Sequence, residues 1–133
     1  MTTEITISLD AMGGDAAPGM VVGGAALARE RHPNLRFIMF GDEAEINPLL
    51  SRHRALRDCV EVRHTEHKIM ATDRPSQALR QGRQSSMRLA INAVADGEAG
   101  GVVSAGNTGA LMAMSKFALK PMKGIDRPAI CGF

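Results

Sequence analysis

Ser104-Ala105-Gly106-Asn107-Thr108-Gly109-Ala110 is the stretch on which the fold of this chain turns. It follows the short apolar pair Val102-Val103 and runs directly into a helical pattern, Leu111 to Ala118. A strand that becomes a helix through small, hydroxyl-bearing residues aims several backbone N–H groups at one spot. The positive end of the helix points there too, an arrangement that holds an anion such as phosphate. Gly106 and Gly109 can adopt positive φ and let a ligand approach the backbone. Ser104, Asn107 and Thr108 add side-chain donors. The plainer alternative is a tight strand-to-helix turn capped by Asn107 or Thr108. The local pattern leaves both open.

A second loop of the same design lies near the start of the chain. Ile5, Ile7 and Leu9 alternate with Thr6 and Ser8, which predicts a strand. It runs into Asp10-Ala11-Met12-Gly13-Gly14-Asp15, and Pro18 is expected at the first position of a helix rich in Ala, Val and Gly. Gly13-Gly14 permits a turn closed to most residues, and Asp10 falls at the carboxyl end of the strand. Ligands of open parallel sheets bind just beyond those carboxyl ends, so both loops are expected at one edge. The alternative for Asp10 and Asp15 is that they cap the first helix.

Further along, Leu35 to Phe40 is a near-continuous apolar run, as a buried parallel strand requires. Helical residues follow from Glu43 to about Arg54, with Pro48 expected to break or offset them. Cys59 to His64 alternates and predicts an edge strand. Pro75 opens a short helix that Gly82 ends. Ser85 or Ser86 caps a clearer helix, in which Met87, Ala90, Ile91 and Val94 fall at i, i+3, i+4 and i+7. Strands alternating with helices predict a mainly parallel sheet with helices on both faces. Pro128 to Phe133 looks like the opening of a further buried strand. Residues 1–133 are therefore expected to be the amino-terminal part of one α/β domain, cut at that strand.

Composition narrows the functional classes. At 133 residues the chain can bury a core, and 44% hydrophobic with 23% charged residues is ordinary for a globular protein. A formal charge of +2, four Phe and no Tyr or Trp give no reason to expect a nucleic-acid partner. No apolar run approaches the ~20 residues of a membrane span, and Met1-Thr2-Thr3-Glu4 lacks the features of a signal peptide. Cys59 and Cys131 stand in no metal or redox spacing, so a cytoplasmic location is expected. His64 and His67 have no second cluster to complete a metal site, and no metal or other cofactor is expected.

Three blocks together resemble one family: Leu9 to Asp15; Arg74-Pro75-Ser76 with Ser85-Ser86-Met87-Arg88; and Ser104 to Met112. They resemble the PlsX phosphate acyltransferases, the acyl-carrier-protein:phosphate acyltransferases of bacterial phospholipid synthesis. The resemblance is colinear from Ile5 to Pro128. It implies an α/β/α sandwich related to the isocitrate dehydrogenase and phosphotransacetylase group, usually dimeric. It also implies a reaction of acyl-[acyl carrier protein] with inorganic phosphate that yields acyl phosphate and free carrier protein. Peripheral membrane contact would come from a segment outside this chain.

On this reading Asn107 and Thr108 are the candidate catalytic residues. Ser104, Gly106, Gly109, Asp10, Gly13 and Gly14 are the candidate phosphate ligands. Arg74, Arg80, Arg83 and Arg88 would meet phosphate or the acidic carrier protein, the alternative being a solvated helix face. Phosphate attacks a thioester unaided by a Ser or Cys nucleophile. What the site must supply is position and oxyanion stabilisation. A phosphotransacetylase acting on acyl-coenzyme A and a noncatalytic carrier-binding module are the competing functions. The glycine loop has neither P-loop nor dinucleotide-fingerprint spacing.

Overall fold

A computed structural model describes residues 3–132. Strands and helices alternate in the order β1 (Ile5–Asp10), α1 (Gly19–Arg31), β2 (Leu35–Gly41), α2 (Glu43–Leu50), β3 (Val60–His64), α3 (Pro75–Gln81), α4 (Ser86–Ala95), β4 (Gly101–Val103) and α5 (Thr108–Leu119). A 3₁₀ turn, Arg54–Leu56, precedes β3. The strands form one sheet in the order β3-β2-β1-β4, and every pairing is parallel. The chain thus builds outward from β1 through β2 to β3, then returns to add β4 on the other side of β1. That reversal opens a crevice at the carboxyl ends of β1 and β4.

Successive strand residues face opposite sides of a sheet, and the core divides accordingly. Leu9, Phe37 and Met39 pack with Val22, Ala25 and Ala26 of α1 and Ile46 of α2. Ile38 and Phe40 face the other way and pack with Ala90 and Ala93 of α4. Helices therefore cover both faces, which gives the three-layer α/β/α arrangement. A third cluster, Ala78, Met87, Ile91, Ala110 and Met114, joins α3, α4 and α5. Because β2 is covered on both sides, Phe37 to Gly41 are all buried, which explains the unbroken apolar run.

Local expectations hold at most boundaries, with four differences. Helix α2 runs through Pro48 to Leu50. The Asp42 side chain accepts from the Ala44 N–H at 2.9 Å and Ile46 is fully buried, so cap and core outweigh the backbone bond that proline removes. Pro18 is the N-cap of α1 rather than its first residue, and no side chain caps that helix. Asp10 and Asp15 are thus not its caps. Ser85 caps α4, its Oγ accepting from the Arg88 N–H at 3.2 Å.

The fourth difference lies near the end of the chain. Pro128 to Gly132 form no strand and are exposed; Phe133 lies outside the described residues. An apolar run becomes a strand only where a sheet edge accepts its hydrogen bonds and a layer covers its face. Among the described residues this segment pairs with neither outer strand of the sheet, and no layer covers it.

Two outcomes follow. Met39 is completely buried, so Met39→Ala should cost about 2–5 kcal/mol in urea unfolding; an unchanged midpoint would contradict the core assignment. Burial pushes the Cys59 thiol above its ordinary value. The folded chain therefore keeps a proton that the unfolded chain releases. This contribution to stability is present below the unfolded thiol pKa and is lost as pH rises through the folded one. With Ellman's reagent, exposed Cys131 should react at once and buried Cys59 only after denaturant is added.

Candidate functional site

The carboxyl ends of β1 and β4 are bound together by one buried carboxylate. Asp10, only 2% exposed, accepts hydrogen bonds from the Ser104 Oγ at 2.8 Å, the Ser86 Oγ at 2.6 Å and the Met12 N–H at 3.2 Å. Its three donors come from the end of β4, the first turn of α4 and its own loop. A buried carboxylate requires such donors, because without them its desolvation is prohibitive. Ser104 in turn accepts from the Gly106 N–H at 3.1 Å. Gly106 therefore points its amide inward, to the loop's own frame.

The glycines serve close approach more than unusual backbone. A Cβ on Gly13 would lie 2.5 Å from the Asp10 Oδ2 and 2.9 Å from the Ser104 Oγ, where no side chain fits. One on Gly106 would lie 3.3 Å from the Gly13 Cα, and one on Gly109 would lie 2.9 Å from the Pro75 ring. Gly14 has φ +106°, in the region that favours glycine. Gly106 and Gly109, which could adopt positive φ, do not. Their small size is used to bring the two loops, and α3 and α5, into contact.

Above this floor lies an open cleft of about 630 Å³. Gly14 and Asp15 line it from the first loop, Gly106 to Gly109 from the second, and Lys68 to Ala71 from the segment between β3 and α3. Both glycine loops thus meet at one sheet edge, as their positions after β1 and β4 imply. Asn107 is the N-cap of α5, its Oδ1 accepting from the Ala110 N–H at 3.1 Å. First-turn amides of a helix have no intrahelical acceptor. With that of Ala110 taken by the cap, Thr108 and Gly109 keep N–H groups without a protein partner among the described residues. Thr108 itself is exposed and lines the cleft.

Of the sequence candidates, Gly14, Gly106, Asn107, Thr108 and Gly109 line the cleft, while Asp10, Gly13 and Ser104 form the hydrogen-bonded floor below. The four arginines do not line it. Arg74 is the exposed N-cap residue of α3, and Arg80 donates to the Ser76 carbonyl at 3.3 Å. Arg83 is exposed. Arg88 donates to the Asn92 Oδ1 at 3.1 Å and lies 5.2 Å from the Phe117 ring centroid. Sequence reasoning missed Lys68, which sits in the cleft wall, and Ser86 as a partner of Asp10. Ser86 is 76 residues from Asp10, and no local pattern signals such a pair.

The family model described as fatty acid synthesis protein matches residues 5–133. The chain belongs to the fatty acid synthesis protein family. Curated relatives carry the name phosphate acyltransferase. That of Paramagnetospirillum magneticum is 58% identical over 99% of this chain and 38% of the relative. That of Rhodospirillum centenum is 59% identical over 100% of this chain and 38% of the relative, and that of Brucella ovis is 57% identical over 96% and 37%. The chain thus spans under two-fifths of the length of these family members. Among the described residues no helix is long and apolar enough to cross a membrane.

The floor makes a paired prediction for this family member. Gly13→Ala should destabilise by about 2 kcal/mol or more, as overpacking a rigid site does. Gly23→Ala, whose Cβ meets nothing within 4 Å, should stabilise by about 0.5–1 kcal/mol by restricting the unfolded chain. Urea unfolding measures both. Equal midpoints for the two variants would remove the close contact at Gly13.

Proposed function

We propose that this chain forms the phosphate-holding part of an acyltransferase that joins inorganic phosphate to an acyl group taken from acyl-[acyl carrier protein]. The products are acyl phosphate and the free carrier protein, a step of phospholipid synthesis. The observation that carries the reading is the pair of Thr108 and Gly109 amides, unpartnered among the described residues, on residues that line a cleft at the switch point of a parallel sheet. The positive end of α5, a twelve-residue helix, favours an anion at that position. Membership of the fatty acid synthesis protein family and relatives named phosphate acyltransferase support the same chemistry.

The reaction asks for little covalent assistance. A phosphate oxygen attacks the thioester carbonyl, the new C–O bond forms, and the C–S bond breaks to release the carrier thiolate, which takes up a proton. The rate then depends on holding phosphate in line and on donors that strengthen as the carbonyl oxygen becomes an oxyanion. Thr108 and Gly109 supply amides, the Thr108 hydroxyl a further donor, and Gly14 an approachable wall. Asp10, Gly13, Ser104 and Gly106 hold these groups in place from below. On this reading Arg83, exposed and outside the cleft, meets the acidic carrier surface.

The test is steady-state release of carrier thiol by the intact enzyme that carries this sequence, with phosphate and carrier varied. Thr108→Val keeps the shape and removes the hydroxyl. It should lower kcat by about 10²-fold, the lower end for loss of an oxyanion donor. Arg83→Ala should raise the KM for the carrier and weaken its salt dependence with kcat spared. Turnover of acyl-coenzyme A in preference to the carrier thioester would reassign the substrate. Wild-type kcat in Thr108→Val would remove that hydroxyl from the chemistry.

A further inference from the structure

The segment from Thr65 to Arg74 has no helix or strand, yet it is pinned at both ends. At its start the Thr65 Oγ1 donates to the Gln84 carbonyl at 2.6 Å, and the Ser86 N–H donates to the His67 carbonyl at 2.9 Å. Ile69 packs into the cluster shared by α3, α4 and α5. Near its end the Met70 N–H donates to the Asp73 Oδ2 at 2.8 Å, and the Asp73 N–H donates back to the Met70 carbonyl at 3.1 Å. That closed turn is fastened to α5 by one side chain. The Asn107 Nδ2 donates to the carbonyls of Asp73 at 2.8 Å, Met70 at 3.2 Å and Ala71 at 3.4 Å. Its two protons are shared among three acceptors while its Oδ1 caps the helix.

Between the two anchors stands Lys68, a wall residue of the cleft. It makes no ion pair or hydrogen bond among the described residues. None of the four arginines lines the cleft, which leaves Lys68 as the cationic side chain of its described lining. We propose that Asn107 is a positioning residue that pins the 65–74 strap across the cleft, and that Lys68 on this strap makes the cationic contact to bound phosphate. This rests on the phosphate reading above and adds two roles to it. Asn107 acts through the strap, since both ends of its amide are committed to the protein. Lys68 complements the Thr108 and Gly109 amides with a mobile point charge.

Asn107→Ser separates the two jobs of Asn107. Serine is a good N-cap, but its side chain is too short to span the three carbonyls. Hydrogen exchange on the intact enzyme that carries this sequence should show the amides of Met70 and Asp73 exchanging about tenfold faster or more, with the Ala110 amide still protected. Unchanged exchange at Met70 and Asp73 would overturn the pinning role.

Titration with inorganic phosphate, followed by calorimetry, tests the lysine. Lys68→Gln should weaken binding about tenfold and flatten its salt dependence, as loss of a charge-assisted contact does. Lys68→Arg should restore most of it. In the Asn107→Ser background Lys68→Gln should cost much less, because the strap no longer presents the lysine. Wild-type affinity in Lys68→Gln would overturn the lysine assignment while leaving the phosphate site standing. No phosphate binding by the intact wild-type enzyme would instead overturn the phosphate reading, and the lysine's role with it.

Discussion

Asp10 is the constraint from which the site follows. Its buried carboxylate is stable only while three donors surround it. Those donors lie on separate parts of the chain, so the end of β1, the start of α4 and the end of β4 must converge. Convergence brings the two loop backbones so close that Gly13 and Gly106 admit no side chain between them without displacement. The apolar core packs helices onto both faces of the sheet. It would not by itself fix the spacing of the two loops to a few tenths of an ångström.

A rigid floor has a chemical consequence. Hydrogen bonds inward, from Gly106 to Ser104 and from Ser104 to Asp10, use up the groups that could otherwise compete for a ligand. What remains facing outward is a small set of amides at the start of α5 together with the Thr108 hydroxyl. Donors held before the ligand arrives need no reorganisation when charge develops, which is where such sites gain their effect. The opposite wall is built differently. It is an irregular strap, held by a few hydrogen bonds and by Ile69 in the cluster of α3, α4 and α5, and Asn107 ties it to the same helix that presents the amides.

Much of this was legible in local patterns. The apolar run at β2, the alternation at β1 and β3, the Ser85 cap and the spacing of Met87, Ala90, Ile91 and Val94 each carry the period or cap chemistry of their element. Both glycine loops were recognisable because each follows a strand and precedes a helix. Pro48 misled, since its cost to a helix is local and the cap and buried Ile46 that offset it act together. Which property of the glycines is used was not legible either. Residue type says that Gly permits positive φ, whereas contact distances show Gly106 and Gly109 are needed for proximity.

The sequence alone determined the element types, the parallel α/β class and the two loops at one sheet edge, because periodicity and turn chemistry act over a few neighbouring residues. Its three motif blocks also pointed to the family. Tertiary structure alone decided which side chains meet. Asp10 finds Ser86 and Ser104 across separations of 76 and 94 residues, and Asn107 finds the 70–73 turn across 34 or more. Only it set the arginines outside the cleft and Lys68 in its wall. A hydrogen bond depends on distances of about 3 Å between atoms, and nothing in a one-dimensional pattern specifies such a distance until the strands have been laid side by side.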